Sequence, residues 1–241
     1  MDSLKGKNAL ITGASRGIGL EISRMLAAGG ANLAMNARHA ANLEKACEEL
    51  TGYGVRLCSC PGDLADAEVP SRLVEQAVRE LGSLDIVISN AGIAVPNAFM
   101  DTTCSDWDLH MAINARAPFL LSREAVPHLR KSGGGTVVFI SSVVGTKGYV
   151  NQMAYSASKH ALMGMAKVLA QEVYRDNIRV HAVSPGGVAT EMASQMRPDL
   201  DLTELITPGE VAEVVHFLLT HRGNAVIDEV SLHRSTAAPW K

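Results

Sequence analysis

Seven short runs of β-branched and aliphatic residues, at 8–12, 32–36, 55–58, 85–89, 136–140, 179–183 and 225–230, read as strands. Between them, apolar positions recur at helical spacing over 18–28, 41–51, 69–81, 107–129, 155–174 and 208–220. The strands are apolar enough to be covered on both faces, and strand alternates with helix along the chain. That order predicts a parallel sheet, because parallel neighbours need crossover connections. Right-handed crossovers then point to an α/β fold of a single Rossmann-type doubly wound domain, with a seven-stranded, mostly parallel sheet and helices on both faces. No linker, low-complexity tract or repeat divides residues 1–241, so one dinucleotide-binding and catalytic unit is expected. The long stretch after the sixth strand has no clear periodicity, and residues 187–207 are expected to form a substrate lid.

Charge narrows the partners. Lys and Arg number 22 against 25 Asp and Glu, a net charge of -3, with no block of one sign. Neither a nucleic acid nor an anionic membrane is expected as partner. No apolar run approaches the roughly 20 residues that cross a bilayer, and the polar start of the chain leads straight into a strand, so a cytoplasmic protein is expected. Cys47, Cys58, Cys60 and Cys104 are too irregular for a disulfide framework and read as reduced thiols. His and Cys never cluster at ligand spacing, so no metal is expected. Met153, Met163 and Met165 read as core or interface filler.

Thr12-Gly13-Ala14-Ser15-Arg16-Gly17-Ile18-Gly19 follows the first strand and opens the first helix. Glycines at this spacing permit a tight turn and a close approach of backbone to a pyrophosphate, while the helix N-terminus offers unpaired N–H groups. Gly13, Ser15, Arg16, Gly17, Ile18 and Gly19 are therefore candidate cofactor contacts. The second strand ends Asn36-Ala37-Arg38, with no acidic residue to take a ribose 2'-hydroxyl. Arg38 and Arg16 favour a 2'-phosphate, hence NADP(H).

Tyr155 and Lys159 are four residues apart on one helical face, and a nearby ammonium is expected to ease loss of the phenolic proton. Ser142 stands at the carboxyl edge of the fifth strand, where ligands of open α/β sheets bind.

With these motifs in order, the chain resembles the short-chain dehydrogenase/reductase family over nearly its whole length. Asp63 and Leu64, in Gly62-Asp63-Leu64, match the segment beside the adenine. Asn90-Ala91-Gly92 matches the motif after strand four, although Ser89 stands where a second asparagine is usual. Asn114, Ser142, Tyr155 and Lys159 match the family's catalytic tetrad. Pro185-Gly186, with Val188 and Thr190, matches the segment that holds the nicotinamide carboxamide. His181 replaces an asparagine common after the strand-six valine, a change expected to touch a backbone-supporting hydrogen bond. No role is assigned to His110 or His160.

The resemblance implies an NADPH-dependent oxidoreductase. Tyr155 would be the general acid, Ser142 would bind the carbonyl oxygen, Lys159 would tune Tyr155 and hold the nicotinamide ribose, and Asn114 would support a water relay. Residues 94–100, 143–150 and 187–207 would surround the substrate. Met100, Val143, Tyr149, Val150, Met192 and Met196 give them an apolar wall, with Lys147 and Arg197 the nearby cations. The stretch 141–159 is similar to 3-oxoacyl-thioester reductases, whereas 224–234 looks more like reductases of small hydroxy acids. Both readings stay open, as does a non-catalytic NADP-sensing protein. Relatives usually form homotetramers, a dimer being the other assembly, and Trp240 is expected to pack against a neighbouring subunit or the lid.

Overall fold

The computed structural model describes residues 4–196 and 201–238. Among these residues seven strands form one sheet: β1 (Asn8–Thr12), β2 (Asn32–Ala37), β3 (Leu57–Pro61), β4 (Ile86–Ser89), β5 (Gly135–Ile140), β6 (Ile178–Pro185) and β7 (Glu229–Leu232). Their order is β3-β2-β1-β4-β5-β6-β7 and every pairing is parallel. Among the described residues eight α-helices accompany them: α1 (Gly17–Ala28), α2 (Ala40–Leu50), α3 (Val69–Leu81), α4 (Cys104–Met111), α5 (Ala117–Lys131), α6 (Met153–Val173), α7 (Glu191–Met196) and α8 (Pro208–Thr220).

Alternate strand residues feed two cores, as the two-residue period of a strand requires. Ile11, Met35, Ile88, Val138 and Val183 pack with α1, α2 and α8 on one face. Leu10, Ala34, Val87, Phe139 and Val180 pack with α3, α5 and α6 on the other. Strand order reverses between β1 and β4. The turns that leave those strands therefore open a crevice at their carboxyl ends.

Four elements differ from the sequence pattern. β3 begins two residues late, at Leu57, although the Arg56 carbonyl just before it already accepts the Leu33 N–H of β2 at 2.9 Å; a 3-10 turn (Thr51–Tyr53) and Gly54 at φ 68° precede the run. β7 begins four residues late, pairing Ala182 with Glu229. The segment before it is a loop whose Ile227 carbonyl faces the Nδ1 of His181 at 2.6 Å. The helix expected over 107–129 starts earlier, at a capping box of Thr103 and Asp106, and is interrupted by a π turn (Ala112–Arg116). Pro118 has no N–H to give the Asn114 carbonyl, so the α-helical bond cannot form at that point. Finally, the expected lid contains α7 and a 3-10 turn (Leu202–Glu204). Its base is fastened by Ala189 N–H to the Ile206 carbonyl at 2.8 Å and Ile206 N–H to the Gly187 carbonyl at 3.1 Å. Residues 197–200 of that lid, Arg197 among them, lie outside the described residues, as does the 239–241 tail with Trp240.

Candidate active site

The glycine turn lies at the crevice with its shape fixed by sterics. Gly13 and Gly17 have φ of 65° and 55°, which L side chains rarely adopt. A Cβ on Gly19 would stand 2.2 Å from the Gly13 carbonyl oxygen, so no larger residue fits the turn as it stands. Asn90 braces it from β4, donating to the carbonyls of Thr12 at 2.9 Å and Gly13 at 3.1 Å. Thr12 Oγ1 in turn accepts the backbone N–H groups of Asn90 and Ala91, each at 3.1 Å. Arg16, at the N-cap of α1, makes no side-chain cap bond, and no acidic residue occupies the first turn. That helix end keeps N–H groups for an anion, the donor set a pyrophosphate needs.

The far side of the crevice is built by β2 and β3. Asn36 is buried and donates to the carbonyls of Cys60 at 2.9 Å and Gly62 at 3.2 Å. Arg38 follows on the surface, its Nε 3.1 Å from the Nε2 of His39. Asp63 accepts the Ala65 N–H at 2.9 Å, and Leu64 beside it is buried. Arg16 forms an ion pair with Glu191 of the lid, and the Thr190 methyl would meet a Cβ on Gly17 at 3.3 Å, so the lid base rests on the glycine turn. Pro185 and Val188 are buried, and Gly186 donates its N–H to the Leu232 carbonyl at 2.8 Å.

Ser142, Tyr155, Lys159 and Asn114 converge where β5 ends and α6 begins. Ser142 caps a 3-10 turn (Val143–Gly145), which fixes its backbone. Its hydroxyl hydrogen-bonds the Tyr155 phenol and lies 3.3 Å from the Pro185 carbonyl. Burial pushes the Tyr155 phenol above its ordinary pKa, with the Ser142 bond opposing. Lys159 is buried and donates to the Ile140 carbonyl at 2.9 Å, with Nζ 5.9 Å from the centre of the Tyr155 ring. Burial pulls its ammonium down to about 8. The expected easing of Tyr155 by Lys159 is therefore not what this arrangement gives. The ammonium is turned to a strand carbonyl, and what opposes desolvation at the phenol is the Ser142 bond.

Asn114 is 0% exposed on the π turn. Its amide donates to the Ile93 carbonyl at 2.9 Å and to Ser158 Oγ at 3.0 Å, and its Oδ1 accepts the Ile93 N–H at 2.9 Å. The side chain is thus committed to structure. Gly92 is what lets these groups meet: a Cβ there would lie 3.2 Å from Asn114 Oδ1 and 3.6 Å from Lys159 Nζ.

One neighbour carried no signal in the sequence beyond being a histidine four residues before Asn114. His110 is 1% exposed, its Nδ1 2.6 Å from the Asp106 carbonyl and its Nε2 accepting the Val95 N–H at 3.1 Å. The two loops expected to surround the substrate present apolar side chains. Phe99, Met100, Tyr149 and Val150 are exposed, on two loops joined by the Asn97 N–H to the Asn151 carbonyl at 3.0 Å. Val143, Met192 and Met196 are half-buried. His181 is buried with its pKa lowered by that burial, and its Nε2 has no partner. It supports the loop before β7, the backbone role expected of that position. No helix among the described residues is long and apolar enough to cross a membrane, and no group of His, Cys, Asp and Glu among them could hold a metal.

Comparison with known proteins places this geometry in a family. Residues 7–201 match the model of the short chain dehydrogenases. The human dehydrogenase/reductase SDR family member 4 is 34% identical over 239 residues, which cover 95% of this chain and 86% of that protein. A 3-oxoacyl-acyl-carrier-protein reductase of Aquifex aeolicus is 31% identical, covering 94% of this chain and 95% of the other. Among solved structures, a short chain dehydrogenase from Burkholderia cenocepacia in complex with NADP superposes with TM-score 0.87 at 30% identity, covering 97% of this chain and 98% of that one.

Proposed function

The chain belongs to the short chain dehydrogenase family, and from that premise we propose that it is an NADPH-dependent reductase of 3-oxoacyl (β-keto) substrates. It is an oxidoreductase acting on the carbonyl/alcohol pair. The observation that carries the proposal is the meeting of Ser142, Tyr155 and Lys159 at the sheet edge.

The residues present fit a dinucleotide phosphate: the glycine turn is closed to any side chain, and the uncapped N-terminus of α1 faces the crevice. Arg38 and Arg16 would take the 2'-phosphate, with Ser15, Gly17, Ile18 and Gly19 along the pyrophosphate. Asp63 and Leu64 would flank the adenine. Asn90, Ala91, Gly92, Pro185, Gly186, Val188 and Thr190 would line the nicotinamide half. When bound, that cofactor supplies the hydride.

The protein's own part is proton transfer and orientation. A half-buried phenol with a raised pKa is fully protonated at neutral pH, which suits Tyr155 to give its proton to a substrate oxygen as negative charge develops there. Ser142 donates a hydrogen bond to the same oxygen. Lys159 restores the tyrosine's proton from the Ile140 side, with Asn114 contributing through its backbone because its amide is already occupied.

The rim supports an acyl substrate over a small hydroxy acid. Apolar residues far outnumber Lys147 and Arg197, the two cations of 94–100, 143–150 and 187–207. The whole chain would act as one unit in the cytoplasm, as a homotetramer. The test is NADPH consumption with 3-oxoacyl thioesters, β-keto esters, small keto acids and cyclic ketones, repeated with NADH and with Tyr155→Phe. Turnover of the thioesters, reduced roughly 10²–10⁴-fold in Tyr155→Phe, supports the proposal. Turnover of keto acids alone overturns the substrate class, and tight NADPH binding without any turnover supports a cofactor-sensing protein instead.

A further inference from the structure

β3 carries two cysteines two residues apart on its α3 side, Cys58 half-buried and Cys60 0% exposed. Their sulfurs lie 3.4 Å apart, and the Cys60 thiol also reaches the Cys58 carbonyl at 3.7 Å. Gln76 of α3 points its amide at Cys58 Sγ from 3.7 Å. We propose that Cys58 and Cys60 form a peroxide-sensitive dithiol, which closes to a disulfide and thereby weakens the adenosine end of the cofactor site.

The two thiols are unequal in the way that chemistry needs. The hydrogen bond from Cys60 holds Cys58 below the ordinary thiol pKa, with the Gln76 amide helping and burial opposing. That same bond, and then burial, pushes Cys60 far above the thiol range. Cys58 is therefore the nucleophile and Cys60 the resolving thiol. The Cys58 thiolate attacks hydrogen peroxide: an S–O bond forms, the O–O bond breaks, and hydroxide leaves, which oxidises the sulfur to a sulfenic acid. Cys60 sulfur then attacks Cys58 sulfur. The S–S bond forms as the S–O bond breaks, and the departing hydroxyl takes the Cys60 proton as water. Two thiols are oxidised while one peroxide is reduced to two waters. Cys47 cannot compete, because it packs on the other face of the sheet against Met35.

Closing the sulfurs from 3.4 Å to the ~2.05 Å of a disulfide puckers the strand. β3 can yield, being an edge strand with β2 on one side only. The strain passes directly to the cofactor side. The Cys60 and Gly62 carbonyls hold the Asn36 amide, and Gly62 donates its N–H to the Ala37 carbonyl at 3.0 Å. Arg38 follows Ala37 and Asp63 follows Gly62, so a displaced Cys60 moves both from where the adenosine would meet them. This coupling rests on the cofactor reading above; the thiol chemistry does not.

The experiment titrates the whole protein with hydrogen peroxide, blocks the remaining thiols with N-ethylmaleimide, maps peptides by mass, and measures NADPH affinity by cofactor fluorescence on the same samples. The expected result is loss of two hydrogens from the Cys58–Cys60 peptide before exposed Cys104 reacts, a several-fold weaker NADPH affinity, and recovery of both with dithiothreitol. Cys58→Ser should keep its NADPH affinity in peroxide, and Cys60→Ala should stop at a dimedone-reactive sulfenic acid. Oxidation of Cys58 no faster than of Cys104, or passage to sulfinic acid without a disulfide, overturns the dithiol. A disulfide that leaves NADPH affinity unchanged overturns the coupling. If the reduced protein binds no NADPH, the cofactor reading and the coupling fail together, while the mass map still decides the thiol chemistry.

Discussion

The His110 ring meets Tyr155 edge-on, with centroids 6.5 Å apart and planes at 62°. Because Nε2 accepts the Val95 N–H, Nδ1 must carry the proton that reaches the Asp106 carbonyl, so a neutral ring of one tautomer satisfies both ends. His110 thereby joins α4, the phenol and the start of the substrate rim. Its loss should act on positioning. His110→Ala should raise the KM for the ketone more than it lowers kcat and leave NADPH affinity unchanged. His110→Gln, which can still accept from Val95, should recover much of the loss. Equal falls in kcat and kcat/KM for both variants would instead place His110 in the chemistry.

Lys159 sets a pH dependence of stability. Burial lowers its pKa from 10.5 to about 8, so between those values the unfolded chain holds a proton that the folded chain has released. Stability from this group rises with pH across that window, and below it the penalty of a buried cation is felt in full. At about 1.36 kcal/mol per pKa unit, the gain is on the order of 3 kcal/mol. Thermal unfolding of wild type and Lys159→Met from pH 7 to pH 10.5 checks it: the Tm difference should move in favour of wild type as pH rises. A constant difference would mean that Lys159 stays charged in the folded protein.

The fold was legible because its evidence is periodic. Strand runs such as 8–12 and 136–140, and helices such as 69–81 and 208–220, announce themselves through burial on two faces or one, and the sheet has the order and direction their alternation predicts. The differences fall where burial period says little. The π turn at Asn114 depends on a single missing N–H at Pro118, and β7 starts late where the first residues of its run form the loop that meets His181. Motif order singled out the side chains that the fold gathers at the ends of β1, β4 and β5. What it could not supply was orientation. That Lys159 faces the Ile140 carbonyl, and that His110 reaches back to Val95, depends on contacts between elements distant along the chain.

Cofactor preference should depend on the Arg16–Glu191 ion pair as well as on Arg38. Both partners of that pair are largely exposed, so salt screens it readily. While Glu191 holds the guanidinium, Arg38 is the freer of the two arginines to meet a 2'-phosphate. Arg38→Ala should reduce the NADPH-over-NADH ratio of kcat/KM by roughly tenfold to a hundredfold, the range of one charged hydrogen bond. Glu191→Gln should raise NADPH affinity with little effect on NADH. Opposite signs in these two variants, lost together in high salt, would tie the preference to charge; a parallel change with NADH would tie it to lid geometry.

Substrate length should be read by the rim. Met100 and Val150 are 86% and 87% exposed, an arrangement that leaves apolar area for an acyl chain to cover. Each methylene buried against such a wall contributes ~0.8 kcal/mol, so kcat/KM for 3-oxoacyl thioesters should climb with chain length until the wall is covered and then level off. Val150→Ser together with Met100→Ser should flatten that climb, raising KM for long chains about tenfold while leaving the shortest substrate unaffected. Ser142, Tyr155 and Lys159 stand on other elements than these two side chains, so kcat for the shortest substrate acts as the internal control. A uniform loss at every chain length would show that the two loops, joined through Asn97 and Asn151, had shifted as a body rather than lost a binding surface.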